Sequence, residues 1–123
     1  MLPVISSDEF LRHDTGRFHP ERSQRLIAIV NALKAAPWSD KLEWQLPTPV
    51  ATRPVLPLLQ QIHSPRYIET VQEIANSGGG MLDADTPISP HSYDFALLSV
   101  HAWFDWFDQV LATQNPPLAL ARL

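Results

Sequence analysis

Twelve prolines in 123 residues, against a usual share of roughly 5%, constrain this chain more than any other feature. Each fixes φ near −65° and removes a backbone donor, so none can sit inside a regular element without cost. Their placement is ordered. Pro20, Pro65 and Pro90 each stand where a helix would begin, the one helical position at which proline loses nothing. Ser64 and Ser89 precede two of them as capping hydroxyls. The prolines therefore punctuate a folded chain and do not mark a disordered linker.

Between these marks the apolar spacing predicts the elements. Leu2 to Ser6, with Val4 and Ile5, reads as a strand or extended lead-in. Leu26, Ile27, Val30 and Leu33 step at helical spacing, so a helix is expected from Pro20 to about Ala35, with Glu21 in its first turn and Pro37 ending it. Leu42 to Leu46 alternates as a half-buried strand would, and Pro47 and Pro49 stop it. Arg53 to Ile62 predicts a short helix begun at Pro54, with Pro57 in its first turn.

Ser64-Pro65 opens a helix whose apolar face carries Tyr67, Ile68, Val71, Ile74 and Ala75, ended by Gly78 to Gly80. Ser89-Pro90 opens the longest pattern, a helix of roughly 24 residues and about 36 Å at 1.5 Å per residue, whose apolar positions step from Tyr93 to Leu111. Its aromatic side, Trp103, Phe104 and Phe107, is expected to be buried. The final run, Leu118 to Leu123, suits a strand of a parallel sheet covered on both faces.

Composition excludes several functions. Charged residues are 18% and apolar residues 45%, so the chain is globular. The formal charge is −4 and the nine Lys and Arg are scattered, which argues against nucleic-acid binding. Cysteine is absent, which excludes disulfides and thiolate chemistry and fits a cytoplasmic protein. No signal peptide or membrane span is expected.

Candidate chemistry lies in five histidines, His13, His19, His63, His91 and His101, and in Asp83 and Asp85. No His pair has the spacing of a helical metal site, so histidines that cap or pack near helix starts are expected. The two aspartates read either as a paired carboxylate or as loop residues accepting backbone N–H bonds. Arg22 is expected in solvent, whereas Arg25 lies beside the apolar stripe and needs a partner if buried. Gly78 to Gly80 is no phosphate loop, since the following Lys-Ser/Thr is missing.

Three segments taken together resemble the histone deacetylase family, its bacterial deacetylase and acetylpolyamine amidohydrolase branch most of all. His13-Asp14 followed by His19-Pro20-Glu21-Arg22-Ser23-Gln24-Arg25-Leu26 is similar to that family's His-Pro-Glu-x-Pro-x-Arg opening, with Ser23 in place of proline. Ile62 to Ile68 resembles its His-Ser/Thr-x-x-Tyr-Ile/Leu marker, and Leu82 to Pro90 its Asp-x-Asp-Thr-x-x-Ser loop. The resemblance implies residues 1–123 as a single partial domain, the N-terminal part of an arginase–deacetylase-type three-layer α/β/α fold, mostly helical with a few short strands.

It also implies an activity: hydrolysis of an acetyl-lysine or acetylated-amine amide by zinc-activated water. Asp85 matches the rim aspartate that, in some members of the family, accepts hydrogen bonds from the substrate backbone. Arg25 matches the arginine behind the acetate end of the pocket, and His19, Pro20 and Glu21 match the turn beside it.

In the family, the strand resembled by Leu118 to Arg122 leads into the catalytic histidine pair, and the zinc ligands follow later. Residues 1–123 hold neither, so this chain alone is expected to have no catalytic residue, no metal ligand, no stoichiometric zinc and no activity. A non-catalytic helical interaction module derived from that family is the alternative. A homo-oligomer is expected, through the Trp103, Phe104 and Phe107 helix face and the terminal strand.

Overall fold

The computed structural model describes residues 1–112 and the backbone of Leu118–Ala119. A three-stranded parallel sheet has the order β2-β1-β5, from Leu42–Gln45, Leu2–Ile5 and Leu118–Ala119. Register runs from Leu2 opposite Leu42 to Ile5 opposite Gln45 on one side of β1. On the other, Val4 pairs with Leu118 and Ile5 with Ala119. The expected terminal strand is thus present over Leu118–Ala119; its predicted continuation to residue 123 lies outside the described residues.

Successive strand residues face opposite ways, and Val4 and Ile5 are both 0% exposed, so β1 is covered on both faces. Ile5 packs with Phe10, Leu26, Phe95 and Ala102. On that same face, Gln45 accepts a 2.9 Å hydrogen bond from Gln109 of the long helix α4, Ser92–Ala112. Trp44, in register with Val4, lies under the Lys34 ammonium of α1, Ser23–Ala35, at 5.2 Å. Helices packed on a short parallel sheet form the α/β architecture expected from the sequence.

Helix α3, Pro65–Asn76, is built as its sequence dictates: the Ser64 hydroxyl accepts from Tyr67 N–H at 3.2 Å. Its end is a Schellman turn, with Gly78 N–H on the Ala75 carbonyl and Gly79 N–H on that of Ile74. Gly78 and Gly79 both take φ +102°, which only glycine adopts freely. Helix α2, Val55–Leu59, starts after Pro54, with Pro57 in the turn that needs no N–H.

Two expectations need correction. The first helix begins at Ser23, not Pro20. Arg22 is extended at φ −144° and is its N-cap, because both the N–H and the carbonyl of Glu21 are engaged by other groups. The long helix begins at Ser92, not Pro90. The Ser89 hydroxyl is taken by the loop at Arg12 and Asp14, and Ser92 Oγ accepts from Ser89 N–H at 2.8 Å.

A third correction concerns the aromatic side of α4. Trp103 is 38% and Phe107 51% exposed, and Phe104 is half-buried. The face turned inward is instead Phe95, Ser99, Ala102 and Asp105, with His101. Asp105 decides this rotation. Its Oδ2 accepts from Thr48 N–H at 2.7 Å, and its Oδ1 from Thr48 Oγ1 at 2.8 Å and Arg53 Nη1 at 3.1 Å. Arg53 also reaches Asp108 at 2.7 Å and lies over the Phe104 ring. No helix among the described residues is long and apolar enough to cross a membrane.

Candidate functional site

Gly80–Asp83 and Thr86–Ile88 form an antiparallel hairpin, β3 and β4, which periodicity did not announce. Its two-residue tip is Ala84-Asp85. Asp83 Oδ1 accepts from Asp85 N–H at 2.9 Å, so this carboxylate builds the turn. That bond, with a further one from the Thr86 side chain, holds the Asp83 carboxyl below its ordinary range. Asp85 is left with its side chain 92% exposed. The two aspartates are therefore not a matched pair: one shapes the backbone and the other is presented at the tip.

Sixty-six residues earlier in the chain, His19 reaches that tip. Its Nε2 lies 3.1 Å from the Asp85 carbonyl and 3.3 Å from Asp85 Oδ1. A carbonyl can only accept, so Nε2 carries a proton. Nδ1 lies 3.0 Å from the Glu21 backbone nitrogen and 3.2 Å from the Glu21 carbonyl oxygen. The ring thus bridges the His19–Glu21 turn and the hairpin, with its side chain only 17% exposed.

The turn itself is tied down by the Thr15 hydroxyl donating to the Glu21 carbonyl and by Arg22 donating to the Arg17 carbonyl. The Glu21 carboxylate forms an ion pair with Arg25, one turn into α1. Asp85, His19, Pro20, Glu21 and Arg25 are thereby one contiguous chain of contacts. Arg25 is half exposed; it needs no buried partner, and Glu21 supplies an exposed one.

The other histidines separate. Ser92 Oγ lies 2.7 Å from His13 Nδ1, which joins the loop after the Asp8–Arg12 turn to the start of α4. His63 stacks on Tyr67, and His91 lies against Phe95. His101 contradicts the expectation for histidines: it sits mid-helix and is 0% exposed. Neither of its ring nitrogens finds a hydrogen-bond partner among the described residues. Among the described residues, no three His, Asp or Glu side chains converge as metal ligands would.

A parallel sheet layered by helices, with a hairpin carboxylate held over a His-Pro-Glu turn, defines the class. The histone deacetylase domain family matches residues 19–122, and this chain belongs to it. An uncharacterised protein of Synechocystis is 48% identical over 122 residues, covering 99% of this chain and 40% of that protein. The histone deacetylase-like amidohydrolase of Pseudomonas aeruginosa is 30% identical over 93 residues, covering 76% of this chain and 23% of its own length. A probable deacetylase of Archaeoglobus fulgidus is 28% identical over 98 residues, covering 78% and 26%. The crystal structure of the HDA15 HD domain superposes with a TM-score of 0.80 at 20% identity, covering 99% of this chain and 36% of that one. The chain thus spans well under half the length of the relatives it matches.

Proposed function

We propose that residues 1–123 form the substrate-side wall of an amidohydrolase pocket for an acetylated amine such as acetyl-lysine. The Asp85 carboxylate is its anchor, accepting N–H bonds from the substrate backbone beside the acylated side chain. Such charge-assisted bonds are roughly twice as strong as neutral ones. His19 holds the anchor in place. The observation that carries this reading is the contact between His19 and Asp85: two segments that separately resemble family markers meet at hydrogen-bond distance.

Zinc, which the resemblance implies for the parent reaction, does not fit the described side chains, since no three His, Asp or Glu among them converge on a common point. No hydrolytic step is therefore assigned to these residues, and residues 1–123 on their own are expected to show no turnover. The exposed Trp103 and Phe107 face of α4 and the β5 edge support a further part of the reading, self-association of this chain.

Titration with an Nε-acetyl-lysine peptide, followed by amide NMR, tests the anchor. The expected result is shifts centred on residues 83–86 and His19, absent with the unacetylated peptide and lost in Asp85→Ala. Equal shifts from both peptides, or shifts that survive the substitution, would contradict it.

A further inference from the structure

A cavity beside the hairpin lies outside the Asp85–His19 contact. It is a cleft of about 360 Å³ between α3, α4 and the hairpin. That falls within the ~300–1,000 Å³ typical of small-molecule sites. Phe10 and Phe95, 2% and 6% exposed, lie at its floor, and Tyr67, Val71, Tyr93 and Leu97 stand around it. No Asp, Glu, Lys or Arg lines it. Its His13 and Ser92 are already in contact with each other. With only His13 and His63 as ionisable imidazoles among mostly apolar walls, the lining favours a neutral, apolar group.

Two further observations point to an occupant. Helix α3 has a well-separated apolar face, yet Ala75 is its one buried residue among those described; Tyr67, Ile68 and Val71 front the cleft instead. The cleft also runs along the hairpin. Leu82, Pro87 and Ile88 form one wall, and Thr86, also in the lining, directly follows Asp85.

We infer that the α3–α4–hairpin cleft is a subsite for an apolar group, aromatic or alkyl, attached next to the acylated amine that Asp85 anchors. This rests on the proposed function and adds to it a substrate class: acetylated amines with a large neutral apolar neighbour. A ligand held at the hairpin tip needs to extend only past Thr86 to reach the cleft.

Two probes test it, the methylamides of Nα-acetyl-Nε-acetyl-lysine and Nα-hexanoyl-Nε-acetyl-lysine, titrated into the 123-residue protein. Each methylene fully buried is worth about fourfold in affinity. The four extra methylenes in an open cleft should give at least about tenfold. Ala96→Trp is the matching variant, because Ala96 lines the cleft but is exposed, so a larger side chain there fills space without displacing core. It should abolish the gain and leave the acetyl probe's affinity unchanged, with the circular dichroism spectrum retained.

Equal affinity for the two probes, or a gain indifferent to Ala96→Trp, would overturn the subsite. A self-association constant weakened by Ala96→Trp would also overturn it, showing that a second copy fills the cleft. Asp85→Asn separates the two levels. A cap-dependent gain sensitive to Ala96→Trp but unmoved by Asp85→Asn would refute the anchoring role and the link to it, leaving an independent apolar site.

Discussion

Acidification should destabilise this protein through His101 before its carboxylates titrate. The ring is 0% exposed, and both nitrogens lack partners among the described residues. Burial first, and the Arg53 guanidinium second, push its pKa below the ordinary 6.5, against a smaller opposing pull from Asp105 and from the backbone near Val50 and Arg53, which is too poorly placed for a hydrogen bond. The folded state therefore resists a proton that the unfolded chain accepts. The sign follows: the contribution is fully present above pH 6.5 and is lost as pH falls. If the folded ring excluded the proton entirely, the loss between pH 7 and pH 5 would be about 2 kcal/mol, approaching 1.4 kcal/mol per pH unit.

His101→Leu isolates the effect. It puts an apolar side chain of similar bulk in place of two nitrogens that have no partner among the described residues, a burial that costs about 1–3 kcal/mol. The variant should be about 1 kcal/mol more stable at pH 7.5 and should lose the extra dependence between pH 7 and 5. Urea denaturation of both proteins at half-unit steps measures this directly. Parallel stability–pH curves, or a variant destabilised by more than about 2 kcal/mol at pH 7.5, would refute the reasoning.

Other outcomes follow from the same contacts. Arg53→Met should cost about 2–3 kcal/mol, below the full loss of a buried pair because Arg53 is partly exposed, and should speed proteolysis at residues 48–53. Gly79→Ala would place its Cβ 2.7 Å from the Ile88 carbonyl at φ +102°, so a melting-temperature loss of several degrees is expected. Sedimentation should show self-association at micromolar concentration, abolished by Trp103→Glu with Phe107→Glu; a monomer throughout would remove that proposal.

The sequence was most legible where local chemistry acts alone. Ser64 caps α3 and the glycines end it because a hydroxyl, a proline and a left-handed turn need no distant partner. Ser89 has the same local pattern, but tertiary contacts with Arg12 and Asp14 redirect its hydroxyl. The same override moves the start of α1 to Ser23. The hairpin was hidden because its strands are three and four residues long and contain Gly80 and Pro87. The rotation of α4 was hidden because apolar spacing favours the aromatic side, whereas the Asp105 bonds to Thr48 and Arg53 cross some fifty residues. At the candidate site, the resemblance picked out Asp85 and His19 separately; their contact could be seen only in three dimensions.

The His19 ring provides the most direct test of the account, by long-range proton–nitrogen NMR at pH 7.5. A proton on Nε2 and perturbation of the ring in Asp85→Ala are predicted. A ring that averages both tautomers and does not sense residue 85 would mean that the hairpin tip and the His-Pro-Glu turn do not meet, and the proposed anchor would have no support.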